Sequence, residues 1–325
     1  LTFLPVLARQ AHLKSQKPHI PPMLLDLRYR LEYGLLLAMV LVVRAMPLHV
    51  ATAVSARAWR FIAPKTRRHR RALKNLAKAM PEKSAAEREA IALAMWENLG
   101  RVTAETILLD RVLKDPSRFE FDDKGLIARY KNKIGALVIA SAHMGNWEIG
   151  IVAANALNGR PAGVYRLIEN PYVDRYLHRK RSVLYPGGLF ASKGEEGFST
   201  VMRISAHVRA GGTVGVLADL VDWTGVQVPF FGHMMFATVA PAWLARRAGT
   251  RLAVGRVIRV GKASKFRITV KELKVPRTSD ADEDIRTMTA DIQRHFEAWI
   301  REHPEQWMWS NKRWKDHELE GGTQS

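Results

Sequence analysis

From Lys133 onward the sequence alternates between apolar runs of strand length and helical segments, and this alternation limits the fold more than any other feature. "KIGALVIASA" reads as a strand and "NWEIGIVAANAL" as a helix. "AGVYR" reads as a strand and "NPYVDRYLHRKRSVL" as a helix. "GFSTVMRISAHVRAG" then predicts a helix before the strand "GTVGVLAD", and "VAPAWLARRAG" a helix before "RLAVGRVIRV". Continuous apolar strands separated by helices are buried on both faces, which gives an α/β protein with a mostly parallel central sheet flanked by helices. "KFRITVKEL" alternates instead, and predicts an antiparallel edge strand. "DEDIRTMTADIQRHFEAWIREHP" spaces Ile285, Met288, Ile292, Phe296 and Trp299 as one helix face.

The amino-terminal part follows different rules. The segment Ser84 to Leu109 predicts a long helix on the spacing of Ile91, Met95, Leu99 and Val102, opened by a capping box of Ser84 and Glu87. Before it, no acidic residue lies between Glu32 and Glu82, an interval that holds Arg44, Arg57, Arg60, Lys65, Arg67, Arg68, Arg70, Arg71, Lys74 and Lys78. The chain's 51 Lys and Arg against 31 Asp and Glu give a net charge of +20, which predicts an anionic partner. The apolar run Tyr33 to Val43 is too short to span a bilayer, which takes about 20 residues. An apolar helix joined to a basic cluster fits a helix lying at an anionic membrane surface, with a spanning helix and an ordinary buried core helix as the alternatives. No helix-turn-helix, zinc-finger or ribonucleoprotein motif supports nucleic acid as the partner. The absence of cysteine excludes disulfides, thiolate zinc sites and a cysteine nucleophile.

In open α/β sheets, ligands sit beyond the carboxyl ends of the strands. His143, Arg166 and Asp219 each close a predicted strand, placing a base, a cation and a carboxylate on one rim. His143 and Glu148, in "HMGNWE", predict a base whose ring is fixed by a carboxylate folding back from the next helix. Gly145 and Asn146 would bring backbone amides toward developing negative charge. By spacing alone, a histidine that merely caps or packs is the favoured reading. There is no Gly-x-Ser-x-Gly elbow, and Ser141 is a poor nucleophile because strand neighbours face opposite ways. Without a His-Glu-x-x-His motif or a histidine cluster, no metal site or cofactor is expected. The chemistry that remains is deprotonation of a substrate hydroxyl that attacks an activated carbonyl.

"HMGNWE" after an apolar strand resembles the His-x4-acid signature of the lysophospholipid acyltransferase superfamily. More closely it resembles the lipid A late (lauroyl/myristoyl) acyltransferases. "GVYRLIENPYVDRYLHRKRS", "GTVGVLAD", "GVQVPFFG" and "HPEQWMWSNKRWK" match in order, over roughly Leu24 to Lys315. The resemblance implies transfer of a fatty acyl chain from acyl carrier protein to a hydroxyl of a lipid A precursor, at the cytoplasmic face of the inner membrane. It implies His143 as base with Glu148 as partner. It makes Arg181 an acceptor-contacting or supporting residue and puts Asp219 at the second acidic position. Phe230, Phe231 and Gly232 would form a structural turn. Where the family often has Asp-Gln, this chain has Asp219 followed by Leu220. Arg175, His178, Arg179, Lys180 and Arg181 would face acceptor phosphates or the acidic carrier. The organisation expected is a flexible N-terminus (1–22), basic amphipathic membrane-associating helices (23–80), an α/β acyltransferase domain (81–315) and a polar tail (316–325). Another membrane lipid as acceptor, or a non-catalytic membrane- or nucleic-acid-binding protein on this fold, are the rival readings.

Overall fold

The computed structural model describes residues 21–122, 130, 134–191 and 197–314, without the side chains of 197–199. Most of the expected N-terminal segment and the whole of the expected tail lie outside the described residues.

Four long helices come first: α1 (Pro22–Ala45), α2 (Leu48–Ile62), α3 (Arg67–Ala79) and α4 (Ala85–Ile107). The capping box that opens α4 is present, with the Glu87 amide on Ser84 Oγ at 3.2 Å and the Ser84 amide on Glu87 Oε2 at 2.7 Å. Met95 and Val102 are buried along it. A short helix α5 (Leu109–Leu113) leads to β1 (Phe119–Phe121). The alternating part then runs β2 (Leu137–Ser141), α6 (Val152–Ala156), β3 (Ala162–Tyr165), α7 (Pro171–Ser182), β4 (Gly188–Ala191), α8 (Gly197–Arg209) and β5 (Thr213–Leu217). It continues with β6 (Val221–Phe230), β7 (His233–Ala237), α9 (Ala240–Ala248), β8 (Arg251–Arg259), β9 (Phe266–Leu273) and α10 (Ala281–Glu302).

Seven strands form one sheet in the order β1-β9-β8-β2-β5-β3-β4. The run from β8 to β4 is parallel throughout, and β9 is antiparallel to β8 as its alternation predicts. It is not the edge, however: three residues of β1 pair parallel to its outer side. Both faces of the sheet are covered. In β2, Val138 and Ala140 join one apolar cluster with Trp96, Phe230, Phe296, Trp307 and Trp309, while Leu137 and Ile139 join another with Val112, Ile149 and Ile151. That split is the two-residue side-chain period of a strand packed on both sides. Each such side chain, fully buried, contributes about 1.5–3 kcal/mol.

One local expectation is corrected, and the turn expected at Phe230 to Gly232 is present. The helix predicted over "NWEIGIVAANAL" is only a 3-10 turn at Trp147–Ile149 followed by the five-residue α6. Asn146 caps the turn through Oδ1 on the Glu148 amide, and Asn158 (φ 54) and Gly159 close the segment before β3. "GVQVPFFG" is the end of β6 and its turn into β7. Phe231 and Gly232 have positive φ (51 and 73), while the rings of Phe230 and Phe231 are buried against Trp307.

Candidate active site

Strand register brings the central pair together. β2 and β5 are parallel neighbours with Ser141 opposite Leu217, so two residues further on His143 stands opposite Asp219. Past the last strand pair, the Ala218 amide still donates to the Ser141 carbonyl at 2.8 Å. Asp219 Oδ1 lies 2.6 Å from His143 Nδ1, and Oδ2 accepts the His143 backbone amide at 2.9 Å. The partner on the ring is therefore Asp219 and not Glu148. Local proximity in sequence suggested the wrong carboxylate, because adjacency of β2 and β5 is a property of the sheet order.

Glu148 is engaged elsewhere. Arg181, near the end of α7, grips it with two parallel bonds, Nε to Oε2 at 2.8 Å and Nη2 to Oε1 at 2.6 Å. The paired fork adds geometric definition as well as charge. The backbone accounts for the separation. Gly145 takes φ +56, and a Cβ there would lie 1.9 Å from the Val257 carbonyl oxygen, so only glycine fits. The chain is thereby pressed onto β8 and turned, sending Glu148 toward α7.

The anion-binding role expected of the Gly145 amide also gives way. The Gly145 amide donates to the Gln306 carbonyl at 2.9 Å, and its own carbonyl accepts from Asn98 Nδ2 at 2.9 Å. Asn146 is buried, and its Nδ2 donates to Glu105 Oε2 at 2.8 Å. Glu105 is fully buried beneath the loop, with Arg259 on both oxygens (2.5 and 2.7 Å) and Ser264 Oγ at 2.7 Å. Gly145 and Asn146 fasten the histidine loop to a buried ion pair. Ser141 Oγ is likewise committed, donating to the Gly255 carbonyl at 2.9 Å.

Two residues that sequence reasoning left without a role complete the site. They lie in "HPEQWMWSNKRWK", which follows α10. Trp307 Nε1 donates to Asp219 Oδ2 at 2.8 Å, and Arg313 Nη2 to the same oxygen at 3.2 Å. The Met308 amide donates to the His143 carbonyl at 3.2 Å, and Met144 bridges antiparallel to Trp307. The motif itself was the available signal; its contact with the rim was not.

Burial by itself would push the Asp219 carboxyl up. The adjoining His143 ring and the Arg313 guanidinium outweigh it and hold the carboxyl well below the usual carboxylate range. With Asp219 ionised on Nδ1, the imidazole keeps its proton there, and Nε2 is left with no partner among the described residues. The ring is 16% exposed and packs 5.3 Å from Trp147, so it is held yet reachable. Arg166 follows β3, one strand beyond β5, and is exposed with no carboxylate partner among the described residues. The rim also exposes Leu167, Leu220 and Trp223. A shallow cavity of about 500 Å³ opens at the opposite, amino end of β2 and β8, beside Arg251, Glu272 and Arg277, away from this chemistry. Among the described residues, no group of His, Asp and Glu could hold a metal ion.

No curated protein matches the sequence. The profile of the family described as "Bacterial lipid A biosynthesis acyltransferase" matches residues 18–316, nearly the whole chain. A match of that length makes the chain a member of the bacterial lipid A biosynthesis acyltransferase family, an acyltransferase whose acceptor is a lipid A precursor.

Proposed function

We propose that the protein moves a fatty acyl chain from the thioester of acyl carrier protein to a hydroxyl of the lipid A precursor, at the cytoplasmic face of the inner membrane. The observation that carries the chemistry is His143 at the strand ends, with Nδ1 on Asp219 and Nε2 without a partner among the described residues. The acceptor hydroxyl gives its proton to Nε2 as its oxygen attacks the thioester carbonyl. The tetrahedral adduct collapses, the carbon–sulfur bond breaks, and the departing thiolate takes the proton back from the imidazolium. Donor carbon passes straight to acceptor oxygen, which suits a chain with no cysteine. General base assistance of this kind contributes about 10²–10⁴ in rate. Arg166, past the end of β3, and Arg175, Arg179 and Lys180, on α7, are the cations for the carrier protein or for acceptor phosphates.

Support for the membrane surface comes from α1 and α2. Leu24, Leu27, Leu31, Leu35, Met39 and Val42 recur at helical spacing and are all exposed, and Phe61 and Ile62 are exposed at the end of α2. No described helix is long and apolar enough to cross a membrane. A stripe of this kind beside the basic α3 suits a helix lying in the interface of an anionic leaflet. α1 is tied to the site: Asn170 Nδ2 donates to the Tyr29 carbonyl and to Glu32 Oε2, both at 3.0 Å, and Tyr172 Oη to Asp26 Oδ1 at 2.9 Å. Asn170 caps α7, whose other end carries Arg181.

The test is reconstitution with acyl carrier thioester and a lipid A precursor on anionic vesicles, followed by mass spectrometry of the acceptor. One added acyl chain is expected from the wild type. A folded His143→Gln variant should fall by at least about 100-fold. Near-normal turnover in that variant, or transfer only to lysophospholipid, overturns the reading.

A further inference from the structure

Arg313 carries a cost that its packing does not explain. Its side chain has no exposure, and its Nε is buried without a hydrogen-bond partner. Burial lowers its pKa to about 10, only partly offset by Asp219. A buried, incompletely satisfied guanidinium is expensive to keep unless a charge needs it. The charge beside it is Asp219, 3.2 Å away, and the face of Trp307 lies 4.3 Å from the guanidinium carbon.

Arg313 is also delivered with precision. The segment that bears it is pinned to the histidine loop at Gly145 and His143. It is pinned again to α3, where the buried Asn75 donates to the carbonyls of Trp309 (2.7 Å) and Asn311 (2.9 Å). Loop, aspartate and guanidinium therefore move as one unit.

The electrostatic consequence follows from sign alone. A buried carboxylate against an imidazole favours uptake of a proton by the pair, and an imidazolium cannot act as a base. A fixed cation on the carboxylate's other oxygen opposes that uptake. We propose that Arg313 is a positioning residue whose permanent charge on Asp219 keeps the His143–Asp219 pair from binding a further proton, so that His143 stays neutral and competent as a base. The catalytic consequence rests on the acyl-transfer reading above; the electrostatic one does not. Other charged groups lie on the elements around this segment, and Arg68 and Arg71 of α3 are bonded to Ser310. Glu148 and Arg181 neutralise each other on the loop and α7. Arg301 on α10 pairs with Glu297 and lies over the Phe231 ring. Lys78 on α3 and His233 on β7 face the Trp314 ring.

The experiment reads the protonation of His143 directly. Of the two forms of an imidazole, diethyl pyrocarbonate modifies the neutral one, and the initial rate of modification of the peptide containing His143, followed by mass spectrometry, gives the neutral fraction at each pH. In the folded Arg313→Gln variant the midpoint should move to higher pH by about one unit or more, the effect of losing a unit charge at this range under an effective dielectric of about 20. Arg313→Lys should keep the wild-type midpoint. Trp307→Phe removes the neutral donor on the same oxygen and should move the midpoint the same way by less. The acid limb of the transfer rate should follow each midpoint. An unmoved midpoint in folded Arg313→Gln overturns the proposal, as does an unmoved midpoint in Trp307→Phe should the neutral variant at 313 not fold. A moved midpoint in a protein that transfers no acyl chain keeps this inference and rejects the functional reading.

Discussion

Replacing Asp219 by asparagine tests the site at its centre, and the structure fixes what the amide must do. One carboxylate oxygen, Oδ2, accepts three donors: the His143 amide at 2.9 Å, Trp307 Nε1 at 2.8 Å and Arg313 Nη2 at 3.2 Å. An asparagine has one oxygen, and three donors compel it to take that place. The amide nitrogen is then left 2.6 Å from His143 Nδ1, the distance now held by Oδ1. It donates to Nδ1, the imidazole moves its proton to Nε2, and the nitrogen that should accept the substrate proton is blocked. Losing general base help predicts a fall in turnover of about 10²–10⁴ with little change in acceptor binding. Stability falls too, because Arg313 loses the one anion it has among the described residues; breaking a buried pair on one side costs about 3–5 kcal/mol. The sign with pH is definite. The folded-state pKa of Asp219 is depressed below its ordinary 3.8, so its contribution is full above that value and is lost as pH falls below it. The asparagine variant should therefore show a flatter loss of stability between about pH 4 and pH 2 than the wild type. Turnover, urea denaturation at several pH values and circular dichroism measure all three effects. A folded variant within ten-fold of wild-type turnover would refute the assignment of Asp219 as the group that orients His143.

Further perturbations separate the neighbouring pairs. Glu148→Gln and Arg181→Met should show a coupling of about 1–3 kcal/mol in a double-mutant cycle on transfer, since each removes the same two-bonded contact. Neither should move the midpoint of His143 modification, and a shift as large as that of Arg313→Gln would put Glu148 back on the imidazole. Glu105→Gln leaves Arg259 buried without its anion and should destabilise the fold by about 3–5 kcal/mol in denaturant unfolding. A loss under about 1 kcal/mol would mean that the pair does not hold the histidine loop.

The sequence by itself determined the layering of this protein. Short uninterrupted apolar runs such as Leu137 to Ala140, alternating with helical segments, fit strands covered on both faces and leave a parallel sheet as the economical solution. It also determined the helix α4 with its capping box, the apolar run of Tyr33 to Val43 beside a run of arginines, and the placing of His143, Arg166 and Asp219 at strand ends. These are local facts, readable from periodicity within a window of residues. What only the tertiary structure decided is which charges meet. Asp219 reaches His143 across 76 positions and Arg313 reaches Asp219 across 94, through a sheet order and a carboxyl-terminal segment that no local pattern encodes. Glu148, five positions from His143, was turned away by the left-handed Gly145. Proximity along the chain is a weak guide where a turn intervenes. Register between parallel neighbours is set by the packing of the whole sheet, and here that packing chose the partner of the base.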